Sequence, residues 1–310
     1  MESAEPPLRL VDEPVVEAAD PLDAESRTAE LPHPGLVVTA APQMSDRLVP
    51  GPGFGGWADK AGGVLLRNVV LFVLIALLAA LPTHFFVGRV DDTLIAAPAL
   101  SDVIGGFGLL LLPLMWLAYF AVSALPLLIV LAGAVGVAVP AAADGARPRL
   151  RTVWSLVADR LRPLWLWLAL FGLVAQGLPL LDSQPDVAGS VAEPLRIILV
   201  LASSAVLTVA GMVGCVVLIE HGRGPSRALH LLAGTPPAGV AGLAVASLAF
   251  ILLPRLADAV GGSVAQTATG VASGVFWAVA ALVTYAQARR AEGPVTSVSL
   301  RAELAAPELF

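Results

Sequence analysis

Apolar residues fall in six long runs, separated by short polar stretches. The runs are 64–87, 103–139, 163–181, 195–219, 238–256 and 271–288. A helix of about 20 mostly apolar residues crosses the roughly 30 Å hydrocarbon layer of a membrane. The pattern predicts an all-α, polytopic membrane helical bundle of about six transmembrane helices. Run 103–139 holds 37 residues without a charge. Splitting it into two spans would send Arg147, Arg149, Arg151, Arg160 and Arg162 to the side opposite Arg67. That violates the positive-inside rule, so it reads as one helix, kinked at Pro113 or Pro126.

Two connecting segments carry a different periodicity. In 149–162, Leu150, Val153, Trp154, Val157 and Leu161 share one helical face, and the arginines fall largely elsewhere. Residues 225–233 repeat the pattern in short form, with Pro225 suited to the first helical position and Pro236–Pro237 to a stop. Both are expected as interfacial amphipathic helices.

Charge gives the orientation. With six spans and the first end inside, twelve bases near the spans face the cytoplasm and three face outward. Residues 1–60 hold eleven acids and four bases, a net −7, and lack sustained periodicity. They are expected to be a disordered acidic cytoplasmic tail. Residues 61–290 then form the membrane domain, and 291–310 a short cytoplasmic tail. Of 18 basic residues one is Lys, which with the Ala, Gly and Pro load suggests a high-GC bacterium and its plasma (inner) membrane.

Composition narrows the chemistry. Hydrophobic residues are 57 % and charged residues 14 %, which argues against a soluble enzyme and against a nucleic-acid partner. No span carries an ionisable residue at its middle, which lowers the odds of an ion-coupled transporter. The single cysteine, Cys215, excludes a disulfide framework within the chain. His221 and His230 do not have metal-ligand spacing. No metal, cofactor or catalytic motif is expected. Small residues Gly211 with Cys215, and Gly270, Gly274 and Ala278, suggest close helix packing, within the chain or against a second copy.

Two segments carry a resemblance. Gly145–Trp165, GARPRLRTVWSLVADRLRPLW, is similar to the segment after the second span of bacterial six-pass proteins. Val216–Gly234, VVLIEHGRGPSRALHLLAG, resembles their second signature through Glu220, Gly222, Pro225, Ala228, Leu229 and Gly234. Those proteins are related to the membrane domain of glycerophosphoryl diester phosphodiesterase, whose catalytic domain has no counterpart here. The resemblance implies a membrane fold and no activity.

The leading expectation is a non-enzymatic scaffold or accessory protein with a basic cytoplasmic face. Arg149, Arg151, Trp154, Arg160, Arg162 and Trp165 would contact anionic lipid headgroups or a protein partner. The alternative is a transporter or channel for a small or lipidic solute, with Gln176, Ser203, Ser204, Thr208 and Thr269 converging on a polar cavity. A lipid-modifying enzyme is a third reading, with Arg160, Glu220 and His221 as its first residues.

Overall fold

The computed structural model describes residues 46–51, 53–83, 85, 107–146, 148–182, 193–221 and 223–306. These residues are all-helical, with no strand among them. The elements are α1 (Gly53–Arg67), α2 (Val69–Pro82), α3 (Phe107–Asp144), α4 (Leu150–Val157), α5 (Leu161–Asp182), α6 (Glu193–Ile219), α7 (Pro225–Gly234), α8 (Pro237–Glu292) and α9 (Ser297–Ala305). A 3-10 turn, Ala158–Arg160, joins α4 to α5. Among the described residues, three helices are long and apolar enough to cross a membrane, and the bent pair α1–α2 makes a fourth if it counts as one.

The centre is built from helices that are apolar on every side. Residues 130–140 of α3, 210–219 of α6 and 277–288 of α8 are buried throughout. A helix apolar all round has no polar face to present to water, so it settles in the interior. Here the side chains are mostly Ala, Gly and Val, which lets backbones approach closely. Gly211 shows it: a Cβ there would meet Ala281 Cβ at 2.9 Å. The small-residue stripes thus pack within the chain. Around this centre the surface is greasy. Leu66, Val73, Leu77, Leu117, Leu166, Leu173, Ile197, Leu201, Val245 and Leu256 are exposed, as a lipid-facing surface requires.

The run expected at 103–139 is one helix from Phe107 onward. α3 has 38 residues, about 57 Å at 1.5 Å per residue, and extends to Asp144. α8 is two helices, because Gly262 interrupts it at φ 69, ψ −167, a conformation open to glycine alone. The arms, 237–261 and 263–292, fold back on each other. The rings of Phe250 and Trp277 stack at 6.0 Å, and Thr284 Oγ1 donates to the Gly239 carbonyl at 3.2 Å.

Two expected boundaries need correction. The acidic tail is expected to run to residue 60, but α1 spans Gly53–Arg67. Its Trp57, Ala61 and Val64 lie on one face and are buried, and Leu48 is fully buried. That apolar face outweighs the five glycines of α1. Residues 1–45 lie outside the described residues. At the other end, 291–310 was expected to be a tail. Instead Thr296 caps α9 through a reciprocal pair of bonds with Ser299, and Leu300 and Leu304 are buried.

Candidate functional site

The chemistry collects at the basic end of the bundle, where α6 stops and α7, α8 and α9 meet. The polypeptide leaves α6 through Glu220 and His221, and His221 takes a left-handed φ of 49°. Glu220 has a side chain only 4 % exposed. A buried carboxylate costs several kcal/mol in lost hydration unless partners replace the water. Four groups do so. Oε2 accepts from Arg227 Nε at 2.8 Å and Arg223 Nη1 at 3.4 Å. Oε1 accepts from the Tyr285 hydroxyl and from Arg289 Nη1, both at 3.0 Å.

The arginines carry the network outward. Arg227 forks onto both oxygens of Glu292 at 2.5 Å, a bidentate pair that holds the Glu292 carboxyl below its ordinary range. Arg289 forks onto both oxygens of Glu303 at 3.0 Å, tying α9 to α8. Each guanidinium is held more firmly protonated, by Glu292 and Glu220 for Arg227 and by Glu303 against the opposing effect of burial for Arg289.

Arg160 is buried at 5 % exposure and does not face lipid or solvent. Its Nη1 donates to the Leu218 carbonyl at 2.5 Å, and its Nη2 to the Ala306 carbonyl at 3.0 Å. Nη2 also meets His221 Nε2. The 3-10 turn before α5 aims it inward, where it caps the free carbonyls ending α6 and α9. Arg160, Glu220 and His221 are thus near one another, but Glu220 is spent on Arg227, Arg289 and Tyr285.

The other lipid-contact candidates stay on the rim. Arg149, Arg151 and Arg162 are exposed, while Val153 and Val157 of α4 are buried. Trp154 and Trp165 are half-buried, and Trp165 Nε1 donates to the Ala121 carbonyl of α3 at 2.7 Å.

Among the cavity candidates with described side chains, Ser204 and Thr208 lie together, and Ser203 and Thr269 bond elsewhere. Ser203 Oγ donates to Ala175 O of α5 at 2.7 Å, and Ser204 Oγ to Ala244 O of α8 at 3.3 Å. Thr208 lies against Ser247 Oγ at 3.1 Å. Thr269 donates to its own helix, to Ala265 O at 2.6 Å. The Gln176 side chain lies outside the described residues.

Sequence reading singled out Glu220 and His221 but missed Tyr285, Arg289, Glu292 and Glu303 as their surroundings. One signal was present: Glu220 and Arg289 each follow an apolar run by one residue, so opposite charges end two helices at one level. Among the described residues, no three His, Cys, Asp or Glu side chains group as metal ligands. Comparison with protein-family models, curated proteins and solved structures returns no match.

Proposed function

We propose that this is a six-span protein of a bacterial plasma membrane, with its basic face in the cytoplasm. It acts as a non-enzymatic scaffold or accessory protein that holds anionic lipid headgroups. The spans would be α2, α3, α5, α6 and, on the two arms of α8, residues 238–256 and 271–288. The observation that carries the reading is the division of arginines at the basic end. Arg160, Arg227 and Arg289 are engaged within the fold, whereas Arg149, Arg151 and Arg162 stand exposed around the buried face of α4. Exposed arginines beside Trp154 and Trp165 suit phosphate at an interface. The dispersal of Ser203, Ser204, Thr208 and Thr269 onto separate carbonyls supports a scaffold over a transporter. The likeness to the membrane domain of glycerophosphoryl diester phosphodiesterases belongs to the same proposal and adds only an expectation of fold.

Two experiments test it. Single cysteines at Ser155, Ser226 and Ser263, on a Cys215→Ala background, are probed in intact cells with an impermeant thiol reagent. Labelling at Ser263 alone is expected; labelling at Ser155 overturns the orientation. The full chain in mixed micelles should retain phosphatidylglycerol over phosphatidylcholine, and R149Q/R151Q/R162Q should reduce that preference. An unchanged preference overturns the assignment of these arginines.

A further inference from the structure

A cleft of about 170 Å³ opens at the bend between α1 and α2, against the end of α3. Val64, Ala138 and Ala142 contribute apolar walls, and Arg47, Arg67 and Asn68 supply the polar groups. Its lining holds two guanidinium groups and no carboxylate. The neighbouring acids are committed elsewhere. Asp46 accepts from the backbone N–H groups of Ser297 and Leu48, each at 2.8 Å, and Asp144 pairs with Arg301. Two like charges share a small space with nothing among its lining residues to neutralise them.

The cleft is built in place. Arg67 Nε donates to the Gly63 carbonyl at 2.9 Å and Nη2 to the Arg47 carbonyl at 2.7 Å, which fixes both its own fork and the segment carrying Arg47. Asn68 is buried, and its Nδ2 caps α1 at the Val64 carbonyl, 3.0 Å away, where the chain turns by 80°. Gly145, at φ 70, leaves room for the Arg47 guanidinium, whose Nη1 lies 2.5 Å from where a Cβ would stand. Among the described residues Arg47 makes no side-chain hydrogen bond or ion pair.

Beyond the bend, the first turns of α2 present Val69, Val70 and Val73 outward, all more than half exposed. A cationic pocket whose lining residues Arg67 and Asn68 run straight into an exposed apolar helix matches a ligand with an anionic head and a hydrocarbon body. We propose that this cleft holds the phosphate of an anionic phospholipid, with its acyl chains along α2. The site is separate from the arginines around α4. It rests on the reading above only in placing this end of the bundle at headgroup level.

Native mass spectrometry of the full chain tests it, released from micelles doped with phosphatidylglycerol or phosphatidylcholine. Arg47→Gln removes one charge without breaking a bond of the fold, and Ala141→Leu fills the cleft without touching a charge. Arg47→Gln should lower phosphatidylglycerol retention by about tenfold, the loss of one charge-assisted contact, and Ala141→Leu by at least as much, by occupying the space of the phosphate. Circular dichroism and unfolding temperature report whether each variant folds; one folded variant suffices for the test. Retention unchanged in a folded variant overturns the site. Inorganic phosphate displacing the lipid at millimolar concentration also overturns it, because the site would then belong to free phosphate. The comparison with R149Q/R151Q/R162Q separates the two proposals. Loss in Arg47→Gln alone supports the cleft and counts against α4, and loss in the triple variant alone does the reverse.

Discussion

Trp57 on α1 donates its indole N–H to Thr284 Oγ1 on α8 across 227 positions of sequence, at 3.0 Å. Thr284 passes its own proton to the Gly239 carbonyl on the other arm of α8. These two bonds fasten an amphipathic helix to both arms of the hairpin. The indole needs the absence of a side chain at Gly242, where a Cβ would stand 2.7 Å from its ring. Trp57→Phe should cost about 1–2 kcal/mol, since the buried threonine loses a donor while most of the packing survives. Gly242→Ala should cost at least as much, by pushing Trp57 out. Unfolding in micelles, followed by circular dichroism, measures both. A Gly242→Ala protein as stable as the parent would contradict this docking.

The turn at Gly262 makes a second prediction. Alanine at φ 69, ψ −167 is strained by about 1–3 kcal/mol, although a Cβ there meets nothing within 4 Å. Gly262→Ala should therefore destabilise through backbone strain alone. Gly270→Ala, outside the left-handed region and with Pro254 Cγ no closer than 3.6 Å to the new Cβ, should be milder. Equal effects would mean the hairpin does not turn at Gly262.

Burial separates the arginines that meet Glu220. Arg289→Ala strips a partner from a carboxylate that is 4 % exposed and should cost about 3–5 kcal/mol. Arg223, whose side chain is 63 % exposed, meets the same carboxylate at 3.4 Å, and its loss should cost under about 1 kcal/mol. The same unfolding assay ranks them. A reversed order would show that the network is not held from α8.

Acid should loosen the basic end before the rest. The Glu292 carboxyl lies below its ordinary 4.5 because of the hydrogen bonds from Arg227. Burial pushes the Asp46 carboxyl up, but hydrogen bonds from Ser297, Leu48 and Val49 outweigh that and leave it below 3.8. A lowered folded value means stability that is complete above the ordinary value and is lost as pH falls through the lowered one. The stability gap between the parent and Glu292→Gln should therefore be full at neutral pH and shrink on acidification. A gap that stays constant would remove Glu292 from the account.

Much of this fold was legible in the chain, for physical reasons. Runs of apolar residues must form helices where water is absent, so α3, α5, α6 and both arms of α8 announced themselves. The prolines at 225, 236 and 237 marked both ends of α7. α1 was not legible, because its face of Trp57, Ala61 and Val64 is short and lies in a glycine-rich stretch next to an acidic segment. α9 offers only Leu300 and Leu304. The Glu220 network was the least visible, since Arg227, Tyr285, Arg289 and Glu303 meet only once α6 through α9 have packed. Local pairing showed Glu220 with Arg223, the most exposed and weakest of its bonds. Arg160 looked like one more member of a basic cluster, and nothing in its neighbours revealed that it would turn inward.

Asp46 and Ser297 have a further consequence. The carboxylate that organises residues 46–49 also receives the N–H that begins α9, 251 positions away. One side chain therefore joins two segments far apart in sequence, although α9 keeps its own ties through Arg289 and Glu303. Opening of residues 46–49 would expose the carboxylate to water and loosen the first turn of α9 with it. In hydrogen exchange, Asp46→Ala should speed the amides at Leu48 and Ser297 together, while those near Leu304 keep their protection.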